Sequence, residues 1–354
     1  MALQITYLGF WRRYCIHGPN RESDSSLPGA NMDKALRAVG AAIGISTMLM
    51  ASGAAHANLI IAPTFAASIT TDPNAAAIEG VINSAIGFYE NTFTDPITVA
   101  IEFGSQTSGL GTSTAGFYNV PYSTYLSALK ADASTANDAT ANSLLANTAT
   151  NPVNGASTID VKSANGRAVG LATPGFVDGS FDGSILVNTH ITDVGSPGTA
   201  GLYSLFATVE HEIDEVLGLG SALPSLPLGT IFPEDLFRYT SGGVRSFTSN
   251  PAATAFFSID GTTDLAQFDN QNDGGDFGDW QSNPLPSGVQ PQVQDAFGAP
   301  GAHPTLSLTS PETIALDVIG YNAVTPTAVP EPATIALVAL GFAALGFSRR
   351  RRTG

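Results

Sequence analysis

The sequence predicts an α+β domain: a small mixed sheet, one long apolar helix that carries the chemistry, and a loop-rich C-terminal lobe. Three observations carry this. Between Ala75 and Asn188, segments with apolar residues at helical spacing interleave with short apolar runs of strand length. From Tyr203 to Leu219 the chain keeps a helical apolar period, yet holds His211 and the acids Glu210, Glu212, Asp214 and Glu215. Beyond Asp260, clusters of Gly, Asn and Asp take over, as loops require.

In chain order, Ile78, Val81, Ile82, Ile86 and Phe88 predict a helix over Ala75 to Thr92. Pro96 to Phe103 alternates apolar with other residues and predicts a strand. The Ala-rich stretch Tyr122 to Asn147, entered after Pro121, predicts one or two helices. Ala168 to Ala172 and Gly183 to Asn188 predict two further strands. The helix around His211 follows, with Leu202, Leu205, Phe206, Val209, Ile213, Val216 and Leu217 as its buried side, and Gly218 and Gly220 end it.

Both ends of the chain are addressing signals. Residues 1–31 form an upstream extension carrying Cys15, the sole cysteine. Residues 32–57 form a signal peptide: Lys34 and Arg37, an apolar core from Ala38 to Met50, and the cleavage site Ala55-His56-Ala57. A domain over 58–324 follows, without cysteine for disulfides, thiol catalysis or a Cys-ligated metal. At the far end, residues 329–352 run Val329-Pro330-Glu331-Pro332, an uncharged apolar stretch from Ala333 to Phe347, and the arginines 349–352. This segment closely resembles the PEP-CTERM sorting signal of Gram-negative bacteria. The resemblance implies export, a short membrane helix, processing by signal peptidase and an exosortase, and a final place at the cell surface, in the matrix or in the medium.

Between Asn58 and Ala328 five basic residues face 26 acidic ones. That excess excludes nucleic acid as an expected partner and suits an extracellular protein able to attract cations.

The chemistry lies in His211-Glu212-Ile213-Asp214-Glu215. Positions i and i+4 of a helix share a face, so His211 and Glu215 can address one metal ion. Glu212 lies about 100° further round, within reach of a water on that ion. The spacing is that of the zinc-protease motif H-E-x-x-H, with glutamate in place of the second histidine. Carboxylate oxygen remains a zinc ligand, although its charge lowers the power of the ion to acidify water. Structural acids on a helix are the competing reading.

Helix, strand, helix, strands and then an H-E-x-x helix is the order of the N-terminal lobe of a zincin-type metalloprotease. His211 to Ser221 resembles the metzincin pattern with both later histidines replaced. The chain also resembles predicted PEP-CTERM-associated metalloproteases of H-E-x-x-E form. The similar segments are His211 to Gly218, Asp235 to Tyr239, Phe257 to Gly261, Gly275 to Trp280 and Ala315 to Tyr321, where Leu316 stands at the usual methionine of the turn beneath the metal. The resemblance implies an exported zinc metalloendopeptidase cutting peptide bonds, with Glu212 as general base and His211 and Glu215 as ligands. Asp235 is the expected third ligand, and Glu234, His190 and His303 are its rivals; a turn cap is the other reading of Asp235. Tyr239 or Arg238 is the candidate oxyanion partner. Asp269-x-x-x-Asp273-Gly274 offers oxygen ligands at a glycine turn, which suits calcium, but Gln271 and Trp280 exclude an EF-hand. The alternative function is an exported surface or matrix protein with a degenerate zincin-like site.

Overall fold

The computed structural model describes residues 58–194, 199, 201–224, 230–271 and 273–324, with a two-residue strand at Leu3–Gln4. The expected signal peptide over 32–57 and the sorting segment over 329–352 lie outside the described residues, as does most of 1–31.

A four-stranded sheet is the base of the site. Its strands are β1 (Ile60–Phe65), β2 (Thr98–Ser105), β3 (Gly111–Ala115) and, later in the chain, Gly183–Val187. Spatially, β1 and β2 run parallel, β2 runs parallel to Gly183–Val187, and β3 closes the edge antiparallel to that strand. Val99, Ile101 and Phe103 of β2 are fully buried and alternate along it, as a strand with one face on a core requires. Pro63, which has no backbone N–H to give to a ladder, sits in the edge strand β1, where that loss costs least. Helix α1 (Ala75–Thr92) has its expected bounds and turns Ile78, Ile82, Ala85, Ile86 and Tyr89 inward.

The expected helical stretch after Pro121 resolves into two helices, α2 (Tyr122–Asp132) and α3 (Ala136–Ser143). Thr135 separates them: its side chain accepts from the Asp138 backbone N–H, and Asp138 returns the bond in a capping box. The strand expected at Ala168 to Ala172 is absent. That stretch holds the end of a short helix, α4 (Ser163–Ala168), and the turn at Gly170, where φ is +80°. Five apolar or small residues do not separate helix end from strand by period alone.

Helix α5 (Leu205–Leu217) lies against β3, Gly183–Val187 and α1. Gly183 permits this approach, since a Cβ there would come within 2.5 Å of Val216 Cγ2. Ser204 caps α5 by accepting from the Ala207 N–H. At the other end, Lys162 Nζ donates to the carbonyls of Glu215 and Leu219, and Tyr321 Oη to that of Leu217. These donors satisfy helix-end carbonyls that would otherwise be buried unpaired. Apart from half-buried Phe206, every residue of α5 is buried, polar ones included.

The C-terminal portion is loop-rich, with a three-stranded antiparallel patch of Arg238–Tyr239, Phe256–Phe257 and Ala266–Gln267. It ends in α6 (Pro311–Val318), whose Leu316 is fully buried. Among the described residues no helix is long and apolar enough to cross a membrane.

Candidate metal centre

Three side chains converge on α5: His211, Glu215 and Asp279. His211 Nε2 is 3.7 Å from Glu215 Oε1 and 3.8 Å from Asp279 Oδ2, and one ligand atom from each of the three lies within 4.8 Å of the others. A tetrahedral zinc with bonds of about 2.0–2.2 Å has ligand-to-ligand edges of about 3.3–3.6 Å. The two His211 edges are within a few tenths of an ångström of that length, and the Glu215–Asp279 edge lies within 4.8 Å.

The remaining atom of each residue is tied elsewhere. His211 Nδ1 is 3.0 Å from the Val293 carbonyl oxygen, which can only accept, so Nδ1 carries a proton, and Nε2 is left facing Glu215, Asp279 and, at 3.4 Å, the Gln294 amide nitrogen. Ser113 Oγ donates to Glu215 Oε2 at 2.5 Å, leaving Oε1 toward His211. Gln294 Nε2 donates to Asp279 Oδ1 at 2.9 Å, leaving Oδ2, which has no hydrogen-bond partner among the described residues. Three buried donor atoms aimed at one point, each backed by a partner on its other atom, is the pattern of metal ligands with their supporting groups.

Glu212 stands beside this group, fully buried, and no donor reaches either of its oxygens among the described residues. Burial, and then the negative charge of Glu215, push its carboxyl well above the usual range. Glu215 goes the other way: burial raises it, but His211, Lys162 and Ser113 outweigh that and hold it below its usual value. Gly111 at the start of β3 makes room for Glu212, because a Cβ there would fall 2.2 Å from Glu212 Oε1. Asp276, half-buried, is pushed up to about 6 by burial and by Glu215.

The structure does not bring Asp235 into this group. Its carboxylate accepts from Ser221 Oγ, the Ala222 N–H and the Phe232 N–H, so it binds the turn after α5 to the 3-10 turn Pro233–Phe237. Glu234 likewise accepts from the Gly220 N–H. His190 and His303 are also outside the group. Arg238 is fully buried, with Phe277 O and Asn270 Oδ1 as acceptors and Phe268 beneath its guanidinium 4.2 Å from the ring centroid. It braces the loop that carries Asp276 and Asp279. Tyr239 is covered by Arg245. In the expected calcium loop, Asp269 accepts from the Gln271 N–H and Asp273 from the Gly275 N–H. Among the described residues no second group of three metal-type ligands forms there.

Asp279 belongs to the segment Gly275 to Trp280 that the family resemblance marks, but its metal-facing position needs the loop path. Gly278 is the signal that was available: a Cβ there would lie 2.5 Å from Gly220 Cα, so this glycine lets the loop backbone close on the end of α5. Trp280 then anchors the loop, its ring tilted against Phe257 and Phe268 and its Nε1–H donating to Glu312.

Residues 328–352 match the family described as the PEP-CTERM protein-sorting motif. The protein is thus an exported one, held transiently at the membrane by its C-terminus and sorted by an exosortase. No curated protein and no solved structure matches the chain.

Proposed function

We propose that the exported domain is a zinc-dependent metalloendopeptidase of zincin-like fold, with His211, Glu215 and Asp279 as metal ligands and Glu212 as general base. The observation that carries this is the set of three buried donor atoms facing one point, each with its other atom held by Val293, Ser113 or Gln294. Three protein ligands leave a fourth position, as in catalytic rather than structural zinc sites. A peptide as substrate rests on the resemblance of the His211 helix to proteases.

Bound zinc supplies Lewis-acid polarisation of a carbonyl and acidification of water. The protein supplies the proton path and the shape. Glu212 takes the proton of the attacking water on a carboxylate oxygen and delivers it to the leaving amine nitrogen. Its burial without a donor keeps it a strong base once a neighbouring cation favours its ionised form. Val293 fixes the His211 tautomer, and Ser113 fixes the carboxylate plane of Glu215.

One observation favours a second reading. His211 and Glu212 are 0 % exposed and Asp279 1 %, which suits a closed structural metal site in a catalytically degenerate surface protein. Metal analysis and peptide hydrolysis by the full chain decide between them. The enzyme reading expects one zinc per chain, lost in His211→Ala and bound measurably but more weakly in Asp279→Ala, with Glu212→Gln keeping zinc and losing hydrolysis. Zinc retained with no hydrolysis supports the closed site, and no zinc at micromolar concentration overturns both.

A further inference from the structure

Val293 and Gln294 are consecutive and serve two different members of the site. The Val293 carbonyl holds His211 Nδ1, and the Gln294 side chain holds Asp279 Oδ1. Their backbone is itself pinned. The Gln294 N–H donates to Glu312 Oε1 at 3.1 Å, the Gln294 carbonyl accepts from the Trp280 N–H at 2.8 Å, and the Ala296 N–H donates to the Trp280 carbonyl. Trp280 follows Asp279 directly, so the same pairing fixes the backbone on both sides of the Gln294–Asp279 contact. Gln294 is 0 % exposed, and its amide nitrogen also lies 3.4 Å from His211 Nε2.

From this we infer that Gln294 is a positioning residue of the metal centre: its amide group orients Asp279 so that Oδ2 faces His211 Nε2. The inference rests on the reading of His211, Glu215 and Asp279 as metal ligands. An aspartate carboxylate can turn about its terminal torsion, and a buried one with no donor has no preferred face. A neutral amide donor fixes that torsion without adding charge. Lysine or arginine in its place would neutralise the ligand and oppose a cation. Gln294 therefore holds the Asp279 carboxyl without placing a positive charge beside it.

Zinc affinity of the full chain, read by chelator competition, tests this. Gln294→Met keeps volume but removes the donor, and Gln294→Ala removes both. Support for hydrogen-bond positioning is a fall in affinity of about 10- to 100-fold in each, the range for lost supporting partners. In the Asp279→Ala background, Gln294→Met then changes affinity by less than about twofold, because nothing is left to orient. Cobalt in place of zinc reports the ligand set: the visible absorption bands keep their positions in Gln294→Met. Unchanged affinity in Gln294→Met, an equal loss with and without Asp279, or a change of cobalt bands that shows the amide to be a direct ligand each overturns the inference while leaving the metal reading intact. Absence of metal binding in the unaltered chain overturns the metal reading itself.

Discussion

Gly111→Ala places a methyl group against the proposed general base. The new Cβ would lie 2.2 Å from Glu212 Oε1, 2.9 Å from Glu212 Cδ and 2.8 Å from Thr208 Cγ2. An ordinary carbon contact begins near 3.4 Å, so the carboxylate has to withdraw by about 1.2 Å. It has little room to do so. Its helix is tied at Glu210 O by Tyr89 Oη and at Glu215 O by Lys162, and Glu212 is fully buried. Overpacking of this kind costs about 1–3 kcal/mol. For a domain of this size that lowers the unfolding midpoint by roughly 2–10 °C. A catalytic group misplaced by about 1 Å loses on the order of 100-fold in rate. The expected result is a lower thermal midpoint, peptide hydrolysis reduced about 100-fold, and one zinc still bound, because the three ligands are not displaced directly. The double variant Gly111→Ala, Glu212→Ala removes the larger clash, so most of the stability loss from Gly111→Ala disappears in that background. A midpoint unchanged by Gly111→Ala, or a loss that is the same with and without Glu212, would refute the placement of this carboxylate against β3.

Three further outcomes are expected. Asp235→Ala keeps its zinc but loses the three hydrogen bonds from Ser221, Ala222 and Phe232, at about 2–4 kcal/mol in urea unfolding; zinc loss with stability intact would restore it as a ligand. Ser113→Ala frees Glu215 Oε2 and weakens zinc by about 10- to 100-fold, with undiminished affinity as the contrary result. Burial, and then the charge of Glu312, push Asp295 from 3.8 up to about 8, so the folded chain holds a proton that the unfolded chain releases. Its contribution is fully present below about 3.8 and is lost as pH rises through about 8. Stability of the metal-free chain therefore falls across that window by up to roughly 5 kcal/mol, and Asp295→Asn flattens the fall; identical slopes for both chains count against it.

What was legible from residue order was whatever depends on neighbours along one element. The period of α1 and the spacing of His211, Glu212 and Glu215 are local, and helix geometry alone puts His211 and Glu215 on one face. Strand β3 was not legible: Gly-Thr-Ser-Thr-Ala has no apolar alternation, and it becomes a strand by pairing with Gly183–Val187. The near-complete burial of α5 was not legible either, since its acids read as metal ligands or structural acids without a partner named for each. In the fold, Tyr89 donates to Asp214, and Glu210 is pushed up to about 8 by burial, so both acids are accommodated away from the metal group.

The proposed third ligand shows where local reasoning ends. Asp235 and Asp279 both lie in family-like segments after the helix, and both are buried aspartates. Asp235 spends its oxygens on three nearby donors, two of them at the turn that follows α5. Asp279 keeps one oxygen unpartnered, because the Gly278 approach and the Trp280 anchor carry its loop over the helix. Sequence by itself determined the C-terminal sorting segment, the acidic character of the domain and the helix with its His211, Glu212 and Glu215, since these follow from motif, composition and a period of about 3.6 residues. Only the tertiary structure decided which of the many acids meets them and which groups hold it there. Convergence joins residues such as Ser113 and Glu215, 102 positions apart, and that is a property of the chain path rather than of any element.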